Sequence, residues 1–593
     1  MILQRLTEYY ETMLEQGTIS PPGWDNAFKV SFGLELGPDG SLVQLIPFKT
    51  EQQRGKKVVL APRPLCVPAH VKRTVGVAAN FLCDTAAYML GADAKGKPER
   101  VLECFAANAA LHRKLLAGVN TPAAQAILNF FDTWQPSAAP THPLLAADWK
   151  ELAEGANIVF CYGMEPACAD PAVAAAWQSH YDAGDETAIQ AQCLVTGKNA
   201  AVATLHPSIK GVMGAQTMGA ALVSFNAAAF ESYGHSQGMN APVSKYAAFA
   251  YTTALNYLLA DREHCRTVGD TTVVCWAAHG KRSYQDMGMF AMFGAPQEQK
   301  EALSDVDLRA LLEKLARGEP CAWQDTELDP NEHFYFLGLA PNAARLSVRF
   351  FLQDTFGDFM KHLKQHYEDI AVVRPAFDDF EDLPLWRLLN ETVNQNSKNK
   401  AAAPQLAGDM LRAILTGGPY PATLLNGAEL RIRAEREVTR GRAAIIKGYY
   451  RRAPHNHCPK EVLQMDLNEK CTNIPYTLGR LFSVYEQIQQ AANPNINATI
   501  KDKYFNAASA TPAVIFPLLG DLAENHFRVL RRNGPGAAVN LQKKLGELAI
   551  LVGQAYPTRL DLPSKGSFQL GYYFENQKRY QKKENMKEAT GHV

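Results

Sequence analysis

The chain has 593 residues, 60 basic against 60 acidic side chains, 47% hydrophobic residues and eleven cysteines. This length exceeds what one core usually organises, so two to four domains are expected, and zero formal charge argues against a free-standing protein that coats DNA by itself. No run of 18 apolar residues reads as a membrane helix, and an odd cysteine count without a C-x-x-C pair fits reduced thiols better than a disulfide framework.

Residues 2–16 predict a helix with Leu3, Leu6, Tyr10, Met13 and Leu14 on one face. The same segment carries Glu8, Glu11 and Glu15 and has neither a basic start nor a cleavage site, so it is not read as a signal peptide and a cytoplasmic location is expected. Val30, Phe32, Leu34 and Leu36 alternate as in a half-buried strand; the turn Gly37-Pro38-Asp39-Gly40 and Leu42-Val43-Gln44-Leu45-Ile46 complete a predicted hairpin. Residues 99–133 and 143–153 read as helical. Thr271–Trp276, Phe334–Leu339 and Leu346–Leu352 predict strands, the last two joined at Pro341-Asn342, and a helix is expected over 355–367.

Composition then changes. Asp378, Asp379, Glu381 and Asp382 form an acidic cluster, and residues 394–404 (NQNSKNKAAAP) resemble a linker. Helical patterns follow over 405–417, 421–449, 474–492, 503–533, 537–555 and a C-terminal helix, while strand signals nearly vanish. The expected class is α+β: a mixed N-terminal region with small antiparallel sheets, followed by a C-terminal α-helical bundle. Expected boundaries are 1–375, a helical connector with a basic face over 376–464, and 465–593.

Catalytic signatures are missing. The chain lacks G-x-S-x-G, a Walker lysine loop and H-E-x-x-H. His235 lies near Ser232 and Ser236, but a triad needs partners that sequence cannot place. His455, His457, Cys458 and Cys471 are zinc-ligand types; their spacing matches no standard finger, and an i, i+2 histidine pair does not share a helix face, so an exposed loop is the expectation. Cys161 and Cys168 are read as structural. No metal, no cofactor and no enzymatic activity are expected.

Three segments carry binding chemistry instead. From Gly211 to Phe230 there is no charged residue, yet Gly211, Gly214, Gln216, Thr217, Gly219, Ser224 and Asn226 interrupt the apolar character and Lys210 precedes it. Glycine permits close backbone approach, and Gln and Asn carry both donors and acceptors, so the pattern suits a loop-plus-helix pressed against a polar, anionic partner. Residues 51–75 hold Arg54, Lys56, Lys57, Arg63, Lys72 and Arg73 against Glu51 alone, and Asn80 follows; a strand-to-helix junction with surface lysine is the alternative. Residues 431–452 hold Arg431, Arg433, Arg436, Arg440, Arg442, Lys447, Arg451 and Arg452 against Glu435 and Glu437. Arg433, Arg436 and Arg440 recur at helical spacing, which suggests phosphate contact through guanidinium forks; the alternative is a solvated face.

Eight blocks occur in order: MILQRLTEYYE, PPGW, VPAHVKRTVGVAANFLCDTAAYMLG, HPSIKGVMGAQTMGAALVSFNAAAFESYG, NAPVSKYAAFAYTTALNYLL, FYFLGLAPNAARLSVRFF, INATIKDKYFNAASATPAVIFPLL and FQLGYYFENQ. Together they resemble the large subunit of the type I-C CRISPR interference complex (Cascade), and the resemblance runs from residue 1 to about 575. It implies an RNA-guided surveillance subunit, not an enzyme. Guide pairing would read most of the target, while protein reads a short adjacent motif, the PAM, on duplex DNA.

The partners it implies are guide CRISPR RNA, target double-stranded DNA, the other Cascade subunits (backbone, guide-5′-end and small subunits) and a helicase-nuclease; no membrane is expected. The resemblance also implies that the C-terminal region is similar to the small subunit, for which Met465 would be an internal start. It implies a PAM-facing role for Lys210, Gly211, Gly214, Gln216, Thr217, Gly219, Ser224 and Asn226, with Gln216 as a possible wedge. Lys72, Arg73 and Asn80 would hold phosphate or the guide's 5′ end; Arg433, Arg436, Arg440, Arg451 and Arg452 would follow the displaced strand or heteroduplex. A soluble cytosolic enzyme whose site forms only in three dimensions, and a scaffold that binds only proteins, are the rival classes.

Overall fold

The computed structural model describes residues 1–54, 57–71, 76–95, 97–183, 188–261, 263–294, 308–378, 380–398, 400–453, 455 and 458–590. The chain divides into two units: residues 1–207 with 224–254, and residues 208–223 with 255–593. The class is α+β, with small sheets in the N-terminal half and a helical C-terminal region. Positions 375 and 464 both fall inside the second unit. Among the described residues no helix is long and apolar enough to cross a membrane.

In the first unit the helix Ile2–Glu15 buries Leu6, Tyr9, Tyr10 and Met13, the three-and-four spacing of one helical face. Tyr10 closes the next turn by donating its hydroxyl to the Ser20 carbonyl at 2.8 Å. The predicted hairpin is present as Phe32–Leu36 against Leu42–Pro47. Phe32–Leu36 is buried at every position, which corrects the half-buried expectation. The reason is that it is an interior strand: Asn157–Tyr162 pairs with it in parallel on its other side. A side chain at Gly33 would meet Cys161 Sγ and Phe48 at 2.6 Å, so its second face is covered as well. Gly40, at φ +82°, has backbone atoms of Asn129 and Phe130 2.3 Å from where a Cβ would stand, so only glycine fits that turn.

The basic stretch 51–75 contains strand structure that composition concealed. Lys57–Pro68 is a 12-residue strand despite Pro62, Pro64 and Pro68. Its first half pairs with Lys49–Arg54 and its second half with Trp24–Val30. Among the described residues each half therefore has a neighbour on one side only, where a missing N–H is tolerated.

The second unit is built on an antiparallel sheet in the order Cys265–Val268, Thr271–Ala277, His333–Asn342, Arg345–Thr355. The three strands predicted here are present and longer than expected. Helix Phe356–Ile370 starts from a Thr355 hydroxyl that accepts the Asp358 N–H. Beyond it, Leu406–Thr416, Ala422–Glu435, Arg440–Arg452, Ile474–Ala492, Ile500–Ala508, Pro512–Asn533, Pro535–Val552 and Leu562–Thr590 form the helical region. One hydrophobic core runs from Val268 to Phe574 and joins sheet and helices.

His264, 2% exposed, ties the loop after helix Lys245–Ala260 to helix Arg282–Phe293. Its Nδ1 bonds Asp261 at 2.7 Å and its Nε2 bonds Asp286. Burial opposes the imidazolium, but the two carboxylates outweigh it and raise the pKa to about 9. The folded pKa lies above the unfolded value of about 6.5, so this pairing stabilises fully below about pH 6.5. It is lost as pH rises through about 9. Thermal unfolding of the wild type is expected to show this loss between pH 6.5 and 9. A His264→Gln variant should be less stable at pH 6 and flat across that interval; a sloped variant would assign the effect to another group.

Candidate nucleic-acid interface

The charge-free stretch does not contain the expected helix. Residues 205–244 hold only two short 3₁₀ turns, Ala228–Phe230 and Gln237–Asn240, and the α-helix starts at Lys245. The glycines explain why. Gly211, Gly214 and Gly219 have φ of +93°, +77° and +96°, a region closed to other side chains without strain. They belong to a doubled turn in the second unit. The Ala215 N–H donates to the Val212 carbonyl at 3.1 Å, and the Gly219 N–H donates to the Gln216 carbonyl at 2.9 Å. Ile209 and Ala220 exchange both backbone hydrogen bonds below it, at 2.9 and 2.8 Å.

This turn is fastened to the rest of its unit. The Lys210 N–H donates to Asn256 Oδ1 at 2.7 Å, Asn256 Nδ2 donates to the Ser208 carbonyl at 3.1 Å, and the Met213 N–H donates to Thr272 Oγ1 at 3.1 Å. Gly211 packs against Leu259, Gly214 against Pro341, and Gly219 against Ser208 and Ile209. The close approach that the glycines allow is thus to the protein itself. Outward, the turn presents Lys210, Gln216 and Thr217, all exposed, together with Met213 at 64% and Met218 at 81% exposure. The two methionines carried no signal in sequence. Only the turn geometry exposes them.

Ser224 and Asn226 lie in the first unit; Ser224 is half-buried and Asn226 exposed. The segment after them is irregular and exposed through Gln237. Asn240 shapes it: its Oδ1 accepts the Ser232 N–H, and its Nδ2 donates to the carbonyls of His235 and Gln237. The loop holds Tyr233 at φ +55° and 98% exposure. An exposed aromatic on a left-handed residue is a stacking candidate that sequence reasoning missed.

The basic run 431–452 differs most from expectation. Its arginines do not share one helix face, because two helices meet there: Ala422–Glu435 ends on Arg436 at φ +57°, and Arg440–Arg452 begins four residues later with Thr439 as cap. Nor is the run short of acids; they come from elsewhere in the chain. Arg440, 8% exposed, pairs with Asp378 at 3.0 Å and donates to the carbonyls of Phe380 and Glu381. Hydrogen bonds from Arg387 and Arg440 hold the Asp378 carboxyl down at about 2, although burial alone would raise it. Arg442 pairs with Glu391 at 3.2 Å and with Glu435.

Asp369 gathers the C-terminal end of the run. It accepts Arg451 at 2.9 Å and Arg452 at 2.7 Å. Arg452 also donates to the carbonyls of Ala413 and Gly418 and lies over the Tyr420 ring at 4.5 Å. The Lys447 ammonium donates to the carbonyls of Glu368 and Asp369; burial, then Arg451, pulls its pKa down to about 8. The expected strand-following role of Arg440 and Arg452 is therefore corrected: their guanidinium groups are buried and committed to the core. Arg451 keeps an exposed side chain but is paired, and Arg433 is exposed on its helix.

Asn80 is also occupied internally. It is 4% exposed, its Oδ1 accepts the Val71 N–H at 2.9 Å, and its Nδ2 meets His70 Nδ1 at 3.1 Å. That is a loop-closing role, which corrects the phosphate-contact expectation for this residue. Lys72 and Arg73 lie outside the described residues, as does His457. Cys458 is buried with its sulfur 3.3 Å from Ser567 Oγ, and Cys471 is buried too. Among the described residues, one group has the proximity of metal ligands: Asp261, Glu263 and His264. Both nitrogens of that imidazole are already bonded to carboxylates, and Arg282 pairs with Asp261 and Glu263, so these donors are satisfied without an ion.

Residues 6–580 match the model of a family described as CRISPR-associated protein (Cas_Csd1). A search of curated proteins finds no match. The family model covers nearly the whole chain, so both units come under one description: the chain belongs to the Cas_Csd1 family of CRISPR-associated proteins and is a component of a Cascade-type effector complex.

Proposed function

We propose that the chain is the large subunit of a type I-C complex, and that it reads the PAM on duplex DNA, promotes strand separation and R-loop formation, and helps recruit the helicase-nuclease. It acts by binding and not by turnover, in the cytoplasm, alongside guide RNA and the other subunits. The observation that carries this reading is the anchored turn 209–220. An irregular loop held by backbone bonds and by Asn256 and Thr272 is stiff enough to press against another molecule. Its exposed tip combines an amide, a hydroxyl, a lysine and two thioether side chains. Amide and ammonium donors suit the acceptors on minor-groove base edges, and apolar side chains such as methionine are the usual wedges between base steps. Gln216 then reads or orients, Met218 enters the first base step, and Lys210 meets the adjacent phosphate. Arg433 offers a further phosphate contact. Lys72 and Arg73 keep their proposed place at the guide's 5′ end.

The test is electrophoretic mobility of a PAM duplex with the full complex. Gln216→Ala and Met218→Ala are each expected to weaken PAM-dependent binding by about 1–3 kcal/mol. Neither should move the thermal midpoint, since both side chains are exposed. An equal loss on duplexes with and without PAM would reassign the turn to backbone contact. Turnover of a small molecule by the isolated chain would overturn the reading.

A further inference from the structure

The end of strand Cys265–Val268, the end of helix Arg282–Phe293, helix Leu385–Asn390 and residues 400–404 border a cleft of about 650 Å³ in the second unit. That volume lies in the range of small-molecule sites, about 300–1,000 Å³. One wall is braced from behind: a Cβ at Gly269, in the turn after Cys265–Val268, would stand 2.9 Å from the Ala407 side chain. Helix Leu385–Asn390 buries Leu385, Leu388 and Leu389 and leaves Trp386, which lines the cleft, 50% exposed. The indole is nevertheless held in place. Arg387 pairs with Asp378 at 2.7 Å, its guanidinium lies 4.8 Å over the Phe380 ring, and Phe380 meets Trp386 edge to face at 5.9 Å. Phe293 adds a second, half-buried aromatic to the lining.

The charge of the lining is one-sided. Arg266 and Lys400 are its cations, and Lys400 is exposed and in no ion pair among the described residues. Asp270 is the one carboxylate among the lining residues, and it is tied to Arg349 and accepts the Thr271 hydroxyl at 3.0 Å. A net positive lining attracts a phosphate, and an ordered, half-exposed indole offers a base somewhere to stack; unpaired nucleic acid brings both. Val268, Leu385, Leu389, Ala401, Ala402 and Pro404 supply much of the remaining lining, with no hydrogen-bonding side chain. A ribose 2′-hydroxyl buried against them would lose water without gaining a partner, whereas deoxyribose has none to bury. We propose that this cleft takes an unpaired nucleotide of single-stranded DNA, with its base stacked on Trp386 and its phosphates on Lys400 and Arg266. The proposal rests on the reading of the chain as a nucleic-acid-binding subunit and adds a single-strand contact remote in sequence from the turn 209–220.

Fluorescence anisotropy of a labelled oligo(dT) with the full chain tests it, without guide, PAM or partner subunits. Trp386→Ala should weaken binding at least about five-fold, the usual loss for one stacked base, and Trp386→Phe should restore most of it. Lys400→Ala, at an exposed position and so without risk to the fold, should weaken binding several-fold and lower the slope of log affinity against log salt by about 0.7. Oligo(rU) should compete several-fold less well than oligo(dT). No saturable oligo(dT) binding, an affinity unchanged by Trp386→Ala, or equal competition by oligo(rU) would each overturn the site. So would Trp386 variants that shed a subunit from the purified complex while oligo(dT) binding stays intact, since the cleft would then dock protein. A Trp386-dependent oligo(dT) site that persists while the turn variants leave PAM binding intact would refute the PAM reading alone; the reverse pattern would refute this site alone.

Discussion

Asp369→Asn is expected to destabilise the second unit by about 3–5 kcal/mol, the usual loss when one partner of a buried ion pair is removed. Asp369 is the common acceptor for Arg451 and Arg452, and the Arg452 side chain is 2% exposed. Without the carboxylate a guanidinium stays buried beside the Lys447 ammonium, whose pKa is already pulled down to about 8. The carbonyls of Ala413, Gly418, Glu368 and Asp369 accept hydrogen bonds from these cations but carry no full charge. Urea unfolding followed by a probe in the second unit reads the effect, with the exposed Arg433→Ala as a control expected within about 0.5 kcal/mol. If Asp369→Asn left stability intact and steepened the salt dependence of DNA binding, as freed arginines on phosphate would, the run would be a phosphate track after all.

Gly479→Ala should be comparably damaging. A Cβ at Gly479 would stand 1.9 Å from the Phe568 carbonyl oxygen and 2.8 Å from the Tyr572 nitrogen. Across the same contact, a Cβ at Gly571 would stand 2.1 Å from the Tyr476 carbonyl oxygen. Helices Ile474–Ala492 and Leu562–Thr590 thus touch backbone to backbone, and neither side can yield by a rotamer change. They must separate, which also stretches the buried Arg480–Glu575 pair at 2.9 Å. A loss of about 3 kcal/mol is expected, the upper end of ordinary overpacking. The matched control is Gly546→Ala on helix Pro535–Val552, where a Cβ meets nothing within 4 Å. There alanine should stabilise by up to about 1 kcal/mol. A similar response at both positions would mean that the helix contact is looser than the structure has it.

These two sites mark where local pattern stops being informative. Helices such as Ile2–Glu15 and Ile474–Ala492, and the strands at 271–277 and 333–355, were legible because their periodicity records which face is buried. The α+β order, sheets first and helices after, followed from the same signal. The run 431–452 looked unneutralised because Asp369, Asp378 and Glu391 are tens of residues away in sequence. The single long helix expected over 421–449 failed at Arg436, whose left-handed backbone no propensity rule anticipates for arginine. The strand Lys57–Pro68 was hidden by prolines that only a change of pairing partner makes tolerable.

For the candidate site, the sequence by itself marked the segment: a charge-free stretch with three glycines, flanked by lysine, is visible in one dimension and so is the ordered series of family blocks. Whether those glycines meet a partner or the protein's own Leu259, Pro341 and Ile209 depends on distances that only the folded chain sets. The same holds for which side chains face outward. Gln216 was named from its chemistry, whereas Met213 and Met218 became candidates only once the doubled turn exposed them. Burial and charge pairing are long-range properties, so the tertiary structure alone decided which basic residues belong to the core and which stay exposed.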